Sequence, residues 1–133
     1  MSEVNDASIV AALRRQMTIA VAQEVTAVSN LANLDTPGYR AREVSFDQAL
    51  DRQLGGGAGL AATNPRHFGS NASSNAAPPT RETDGLQARR DGNTVQLDRE
   101  LIAMAEAAGN FAKAQTALAA KFRLVRYAIN EGR

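Results

Sequence analysis

The sequence predicts a mainly α chain: two long terminal helices pairing as an antiparallel coiled-coil hairpin, with a short helix and a long flexible loop between them. Three observations carry this reading. Apolar residues recur at helical spacing at both ends, the middle is rich in Gly, Ser, Asn and Pro, and large side chains are scarce, with aromatics at 5% and no Trp. A core of 133 residues built mostly from Ala suits slender helix packing better than a compact α/β enzyme.

The first element occupies residues 1–39. Leu13, Met17, Ala20, Ala27, Leu31 and Leu34 recur at three, four or seven, Arg14, Arg15, Gln16 and Gln23 supply a polar side, and only Glu24 interrupts the stripe. Ser2 or Asn5 is suited to cap its start. Asn30 and Asn33 fall on adjacent faces of its last turns, where their carboxamides have three candidate partners: open helix carbonyls, the adjoining turn, or a neighbouring chain. The helix stops at Thr36-Pro37-Gly38-Tyr39. Pro37 presets φ at the second position of a type II turn and Gly38 supplies positive φ at the third. Taken alone, this stretch is a helix terminator with polar surface around it.

Residues 40–93 change character. A short strand or extended link is expected at Ala41 to Val44, then one short helix capped by Ser45, with Gln48 as its box partner and Phe46, Ala49, Leu50 and Leu54 inward. Gly55-Gly56-Gly57 ends it. The segment from Ala58 to Gly85 has too little apolar content to offset the entropy of ordering and is expected to be a flexible, solvent-exposed loop.

The last element, residues 94–133, is the most regular. Leu97, Leu101, Met104, Ala108, Phe111, Gln115, Leu118, Phe122, Val125 and Ile129 alternate spacings of four and three, which is a heptad seam. Asn93 with Gln96 resembles a capping box. Asp98 and Glu100 suit the positive end of this helix, and Lys121, Arg123 and Arg126 its negative end. At about 1.5 Å per residue the two helices are about 45 and 50 Å long, matched for pairing.

Composition excludes much else. The net charge of +1 creates no field for nucleic acid or an anionic membrane. Arg14, Arg15 and Glu24 break the apolar runs near the start, so neither a transmembrane helix nor a Sec-type signal peptide is predicted. Cys-based chemistry is absent with the residue. His67 is the single histidine and has no partner at metal-ligand spacing, so no metal or cofactor is expected. Arg81, Arg89 and Arg90 alternate with Glu82, Asp84 and Asp91 and read as a solvated face. The glycines after Leu54 lack the Lys-Ser/Thr of a phosphate loop. Asp47 and Asp51, four apart on a short exposed helix, have nothing to raise a pKa for acid catalysis. No catalytic residue and no small-molecule substrate are predicted.

The end of the first helix does not stand alone. The string Asn30-Leu31-Ala32-Asn33-Leu34-Asp35-Thr36-Pro37-Gly38-Tyr39 resembles the N-x-A-N-x-x-T-P-G-Y signature of the flagellar axial proteins, which build rod and hook, and it is placed as in that family at the end of a long N-terminal helix. Its matching positions are Asn30, Ala32, Asn33, Thr36, Pro37, Gly38 and Tyr39. Asp91 to Glu100 is similar to the segment that opens the C-terminal helix in the two short proximal rod proteins. Ala41-Arg42 with Phe46, the short length and the ending Lys121 to Ile129 single out one of those two. The likeness spans roughly residues 8–54 and 91–129. Around Asn64 to Phe68 only His67 remains of a cluster the family often carries, and no role is transferred to it.

The resemblance implies a structural subunit of the flagellar basal-body rod. It would be delivered by the flagellar type III export apparatus without a cleavable signal and assembled in the periplasm, where its helix pair lines the rod core and export channel and transmits torque. Implied partners are other copies of itself, the other proximal rod proteins, and the basal-body adaptor that links rod to export gate and MS ring. A soluble helical-hairpin adaptor or chaperone, another short rod protein of the same family, or a small enzyme are the competing readings. An adaptor has no need of both terminal motifs, and an enzyme needs convergent titratable groups that this sequence lacks.

Overall fold

The computed structural model describes residues 6–45 and 78–130, and these form two long helices and a two-stranded sheet. Helix α1 runs Asp6–Ala32, strand β1 Arg42–Val44, strand β2 Thr80–Glu82, and helix α2 Leu97–Asn130. The two helices pack antiparallel as a hairpin. Asn30 near the end of α1 bonds Glu100 near the start of α2, and Met17 and Phe111 share a groove farther along.

The line of closest contact is made of alanines. Ala20 and Ala27 on α1, seven apart, and Ala107 and Ala114 on α2, also seven apart, are each buried. Helices that meet on Ala approach at the short end of the usual range of about 8–10 Å, so a thin seam closes without large side chains. Leu13, Met17 and Leu31 flank this line on α1, Leu34 just past its end, and Met104, Phe111 and Leu118 on α2, all half-buried. Helical threonines satisfy themselves: the Thr18, Thr26 and Thr116 hydroxyls donate to the carbonyls of Arg14, Ala22 and Ala112.

The heptad seam expected on α2 is therefore divided. Met104, Phe111 and Leu118 border α1, but Leu97, Leu101, Ala108, Gln115, Phe122, Val125 and Ile129 stand exposed in the single chain. Two causes act. The stripe facing α1 is centred on Glu100, Ala107 and Ala114, which rotates half of the predicted positions outward. In addition, with Asn30 level with Glu100, the start of α1 at Asp6 lies level with about residue 124, and α2 runs on beyond it.

The sheet is the second departure. β1 pairs antiparallel with β2 in the register Arg42 with Glu82, Glu43 with Arg81, Val44 with Thr80. The pairing extends at both ends, since Ser45 N–H donates to the Pro79 carbonyl at 2.8 Å and Thr83 N–H to the Ala41 carbonyl at 2.9 Å. Residues 79–83, read as part of the flexible loop, are thus tied to β1 and its flanks by backbone bonds, contrary to their composition. All three β2 residues are exposed, so strand order here comes from backbone bonds rather than burial. α2 also begins at Leu97, three residues later than expected, because Asn93 and Thr94 use their side chains on the other half of the molecule. The short helix read over residues 46–54, the capping residues Ser2 and Asn5, and His67 lie outside the described residues. Among the described residues no helix is long and apolar enough to cross a membrane.

Candidate functional site

The base of the hairpin is a polar corner in which the two terminal motifs interlock. It begins with the turn: Tyr39 N–H donates to the Thr36 carbonyl at 3.2 Å and Gly38 has φ of 70°, the type II geometry that Pro37-Gly38 dictates. Asn33 closes the helix end, its Nδ2 donating to the Ser29 carbonyl at 2.8 Å and its Oδ1 accepting from the Thr36 hydroxyl at 3.1 Å. Of its three candidate partners, Asn33 takes two, the open carbonyl and the turn.

Asn30 does something different. It is 1% exposed, and all four of its hydrogen-bonding positions are filled. Its Nδ2 donates to the Arg42 carbonyl at 2.7 Å and to Glu100 Oε2 at 3.0 Å, while its Oδ1 accepts from Arg42 N–H at 3.0 Å and from the Tyr39 hydroxyl at 3.3 Å. The carboxamide thus engages both backbone groups of Arg42 as a neighbouring strand would. One side chain joins α1, the turn, the first residue of β1 and the first turn of α2. Glu100, 4% exposed, is held there by this amide and by the positive end of α2.

Asn93 is the counterpart from the other motif and is 0% exposed. Its Nδ2 lies 2.9, 3.1 and 2.8 Å from the carbonyls of Asn33, Leu34 and Thr36, gathering the open end of α1. Its Oδ1 accepts from Val95 N–H at 2.7 Å. Around it the two chain segments alternate: Gly38 N–H donates to the Asp91 carbonyl at 2.8 Å, Thr94 N–H to the Tyr39 carbonyl at 3.0 Å, and Ala41 N–H to the Thr94 hydroxyl at 2.8 Å. Gly92, with φ of 81°, faces Gly38; a Cβ on Gly92 would lie 3.4 Å from the Gly38 Cα. Arg89 completes the corner, its guanidinium donating to the Leu34 and Val95 carbonyls at 3.3 and 3.1 Å. Among the described residues no buried side-chain polar atom lacks a partner.

Several of these roles differ from expectation. Asn93 is not the cap of a helix starting at residue 94; its amide reaches across 57 to 60 residues of sequence. Glu100 faces inward rather than only complementing a helix dipole, and Arg89, on an exposed face as read, also bridges two backbone segments. Arg81 pairs with Glu43 at 2.9 Å, and Arg99 with the same carboxylate at 3.4 Å, both on the surface. Only the adjacency of Asn93 to a Gly in a segment without apolar pattern hinted at a buried amide. Ala32, Thr36, Pro37 and Gly38 are exposed, so they shape the corner from outside. Among the described residues no group of three His, Cys, Asp or Glu is placed to hold a metal ion.

A polar corner whose members all bond one another binds the two chain ends together, and its sequence is that of a family. A family model described as flagella basal body rod protein matches residues 9–40, which end inside the corner. The flagellar basal body rod protein FlgB of Escherichia coli is 33% identical over 119 residues, covering 83% of both chains. The chain belongs to the FlgB family of flagellar basal-body rod proteins. That is the one of the two short proximal rod proteins to which Ala41-Arg42 and Phe46 pointed. The FlgB of Aeromonas hydrophila is 45% identical over 74 residues, and that of Salmonella typhimurium 38% over 90. These two alignments span 54% and 64% of the relatives' lengths, so the chain matches little more than half of the first and under two thirds of the second. Within the FlgB family, then, the signature's two asparagines acquire separate duties here, Asn33 within the turn and Asn30 across the hairpin.

Proposed function

We propose that this chain is a structural subunit of the bacterial flagellar basal-body rod, in its proximal part, and not an enzyme. The observation that carries the proposal is the contrast in one small molecule between a saturated polar corner, which joins its two ends, and an apolar outer face on both helices. Val21, Val25 and Val28 on α1 and Leu97, Leu101, Ile102, Phe122, Leu124 and Ile129 on α2 are all exposed. In a rod these surfaces would be covered by further copies of this chain and by other proximal rod proteins, with the outward half of the α2 heptad completing coiled-coil contacts between subunits. The axial domain so formed, from residues 1–39 and 94–133, would line the export channel and carry torque.

Delivery by the flagellar type III export apparatus without a cleavable signal, assembly in the periplasm, and contact with the adaptor joining rod to export gate and MS ring belong to the same proposal. They rest on the family. The test is electron microscopy of basal bodies from a strain lacking the gene and from the same strain complemented with it. Rods absent in the first and restored in the second are expected, and intact rods in the deletion strain overturn the assignment.

A further inference from the structure

Charge is divided along α2 in a way that the net charge conceals. Its exposed carboxylates, Asp98 and Glu106, come first, and the cations Lys113, Lys121, Arg123 and Arg126 follow. Arg99, the one cation near its start, is engaged by Glu43. Shape is divided too. A concavity of about 510 Å³ on the outer side of the helix is lined by Ile102, Ala105, Glu106, Gly109, Asn110 and Lys113. A Cβ on Gly109 would meet nothing within 4 Å, so no contact within the chain accounts for a helix-weakening residue there. At the basic end α2 overruns the start of α1, and Leu124 and Tyr127 on the overrun are 65% and 53% exposed.

We propose that the overrunning end of α2 in one copy of this chain seats on the Gly109 concavity of a second copy, with the two helices parallel. Tyr127 and Gly109 are eighteen residues apart, five whole helical turns, so a stagger of about 27 Å sets one opposite the other on matching faces. The Tyr127 ring then fills the space that Gly109 leaves open beside Ile102 and Ala105, and its hydroxyl meets the polar side chains of Asn110 and Lys113. At the same stagger Arg123 comes within one residue of the level of Glu106, and Lys113 within one turn of Asp98. An antiparallel pair centred on Gly109 would also match the charges, but it would leave residues 124–130 beyond the start of the other α2 and still uncovered. Because the parallel contact joins two different patches, it does not close on itself and repeats from copy to copy. It rests on the assembly of copies proposed above and names one surface of it.

The chain has no Cys, so thiols introduced singly report on one contact. Ala112 and Asn130, both exposed and likewise eighteen apart, flank the contact without being part of it. Full-length Ala112→Cys and Asn130→Cys chains, one carrying a tag that separates mixed from like dimers by mass, are mixed under mild oxidation. Their mixed disulfide should form at least about tenfold faster than the one between Asn130→Cys and Gln87→Cys, an exposed position near the corner. Gly109→Leu on the Ala112→Cys chain should bring the rate down to that reference. Arg123→Glu on the Asn130→Cys chain should slow it, and Glu106→Arg on the Ala112→Cys chain should then restore it, a rescue that mere loss of structure would not allow. A mixed rate equal to the reference overturns the proposal, as does indifference to Gly109→Leu. Disulfides between like Ala112→Cys chains that outpace the mixed ones overturn it too, in favour of the antiparallel pair. None of these results touches the rod assignment, which stands or falls on the basal bodies of the deletion strain.

Discussion

The two ends of the hairpin reverse the usual arrangement of a globular protein. At the base, amides, a hydroxyl and a carboxylate are inside: Asn30, Asn93, Thr94 and Glu100 are buried, and none of their buried side-chain polar atoms lacks a partner. At the far end, large apolar side chains are outside, with Phe122 55% and Ile129 70% exposed. Directional bonds define one geometry and are satisfied within the chain, whereas apolar area is non-directional and can be buried against any complementary neighbour. The base therefore fixes the shape of the subunit, and the far end is left to association. A substitution at the base should destabilise the single chain, and one at the far end should not.

The strongest test of that division is Asn93→Asp. The two side chains have the same shape, but a carboxylate has no N–H to offer the carbonyls of Asn33, Leu34 and Thr36 and would set a charge against all three. A loss of about 3–5 kcal/mol is expected, as for other unpaired buried charges. Asn93→Ala should cost less, about 2 kcal/mol, chiefly by orphaning the buried Val95 N–H, because each carbonyl keeps another donor. Amide exchange at Gly38, Ala41 and Val95 reads both. If Ala proves worse than Asp, the amide acts by filling space and not by donating.

Next comes the turn. Nothing lies within 4 Å of a Cβ built on Gly38, so that atom meets no clash and the expected cost is chiefly backbone strain. Gly38→Val should cost about 1–3 kcal/mol, and Gly38→Asn clearly less, since Asn enters the left-handed region more readily. Gly92→Ala adds contact with the Gly38 Cα to the same strain. Thermal melts followed by helical circular dichroism should rank Gly38→Asn as the mildest of the three. Equal losses for Val and Asn at position 38 would mean that positive φ is not what this position requires.

The helices and the turn were legible in the sequence because each is a local pattern: the spacing of Leu13, Met17, Ala20 and Ala27, the alternation from Leu97 onward, the dipeptide Pro37-Gly38. The corner was not. Asn93, Thr94, Arg89 and Glu100 each had a sufficient local explanation as cap, dipole complement or surface charge, and nothing nearby in sequence marks a bond to a residue about sixty positions away. Strand β2 was hidden because its three exposed residues carry no alternation to detect. The seam was misjudged because a heptad stripe states that two rows are apolar but not that both face one partner. Ala107 and Ala114 were passed over since Ala is equally at home in a core and on a helix surface.

The surface ion pair between Arg81 and Glu43 should matter little. Both side chains are open to water, at 53% and 32% exposure, and such pairs contribute about 0–1 kcal/mol. Arg81→Ala is expected to shift the melt by less than either glycine variant other than Gly38→Asn and to lose even that in high salt. A large, salt-resistant loss would show that the guanidinium holds β2 in register.

Smallest of all in its effect on the single chain is Phe122→Asp, and it bears most directly on the comparison. A carboxylate driven into a dry seam would cost several kcal/mol, but Phe122 is already more exposed than buried and lies on the outer side of α2. The isolated chain should keep its stability within about 0.5 kcal/mol, as for an ordinary surface substitution. In a rod the same position would be covered by a neighbour, and there the charge would have neither water nor a partner. Swarming should therefore be lost with Phe122→Asp and retained with Arg123→Ala, while exchange at Gly38, Ala41 and Val95 is unchanged in both. Asn93→Asp, in contrast, should lose motility and corner protection together. If Phe122→Asp also strips protection from the corner, the two ends of the hairpin form one cooperative unit and the outer face is not reserved for partners. If it swarms normally, this face is not where neighbours pack.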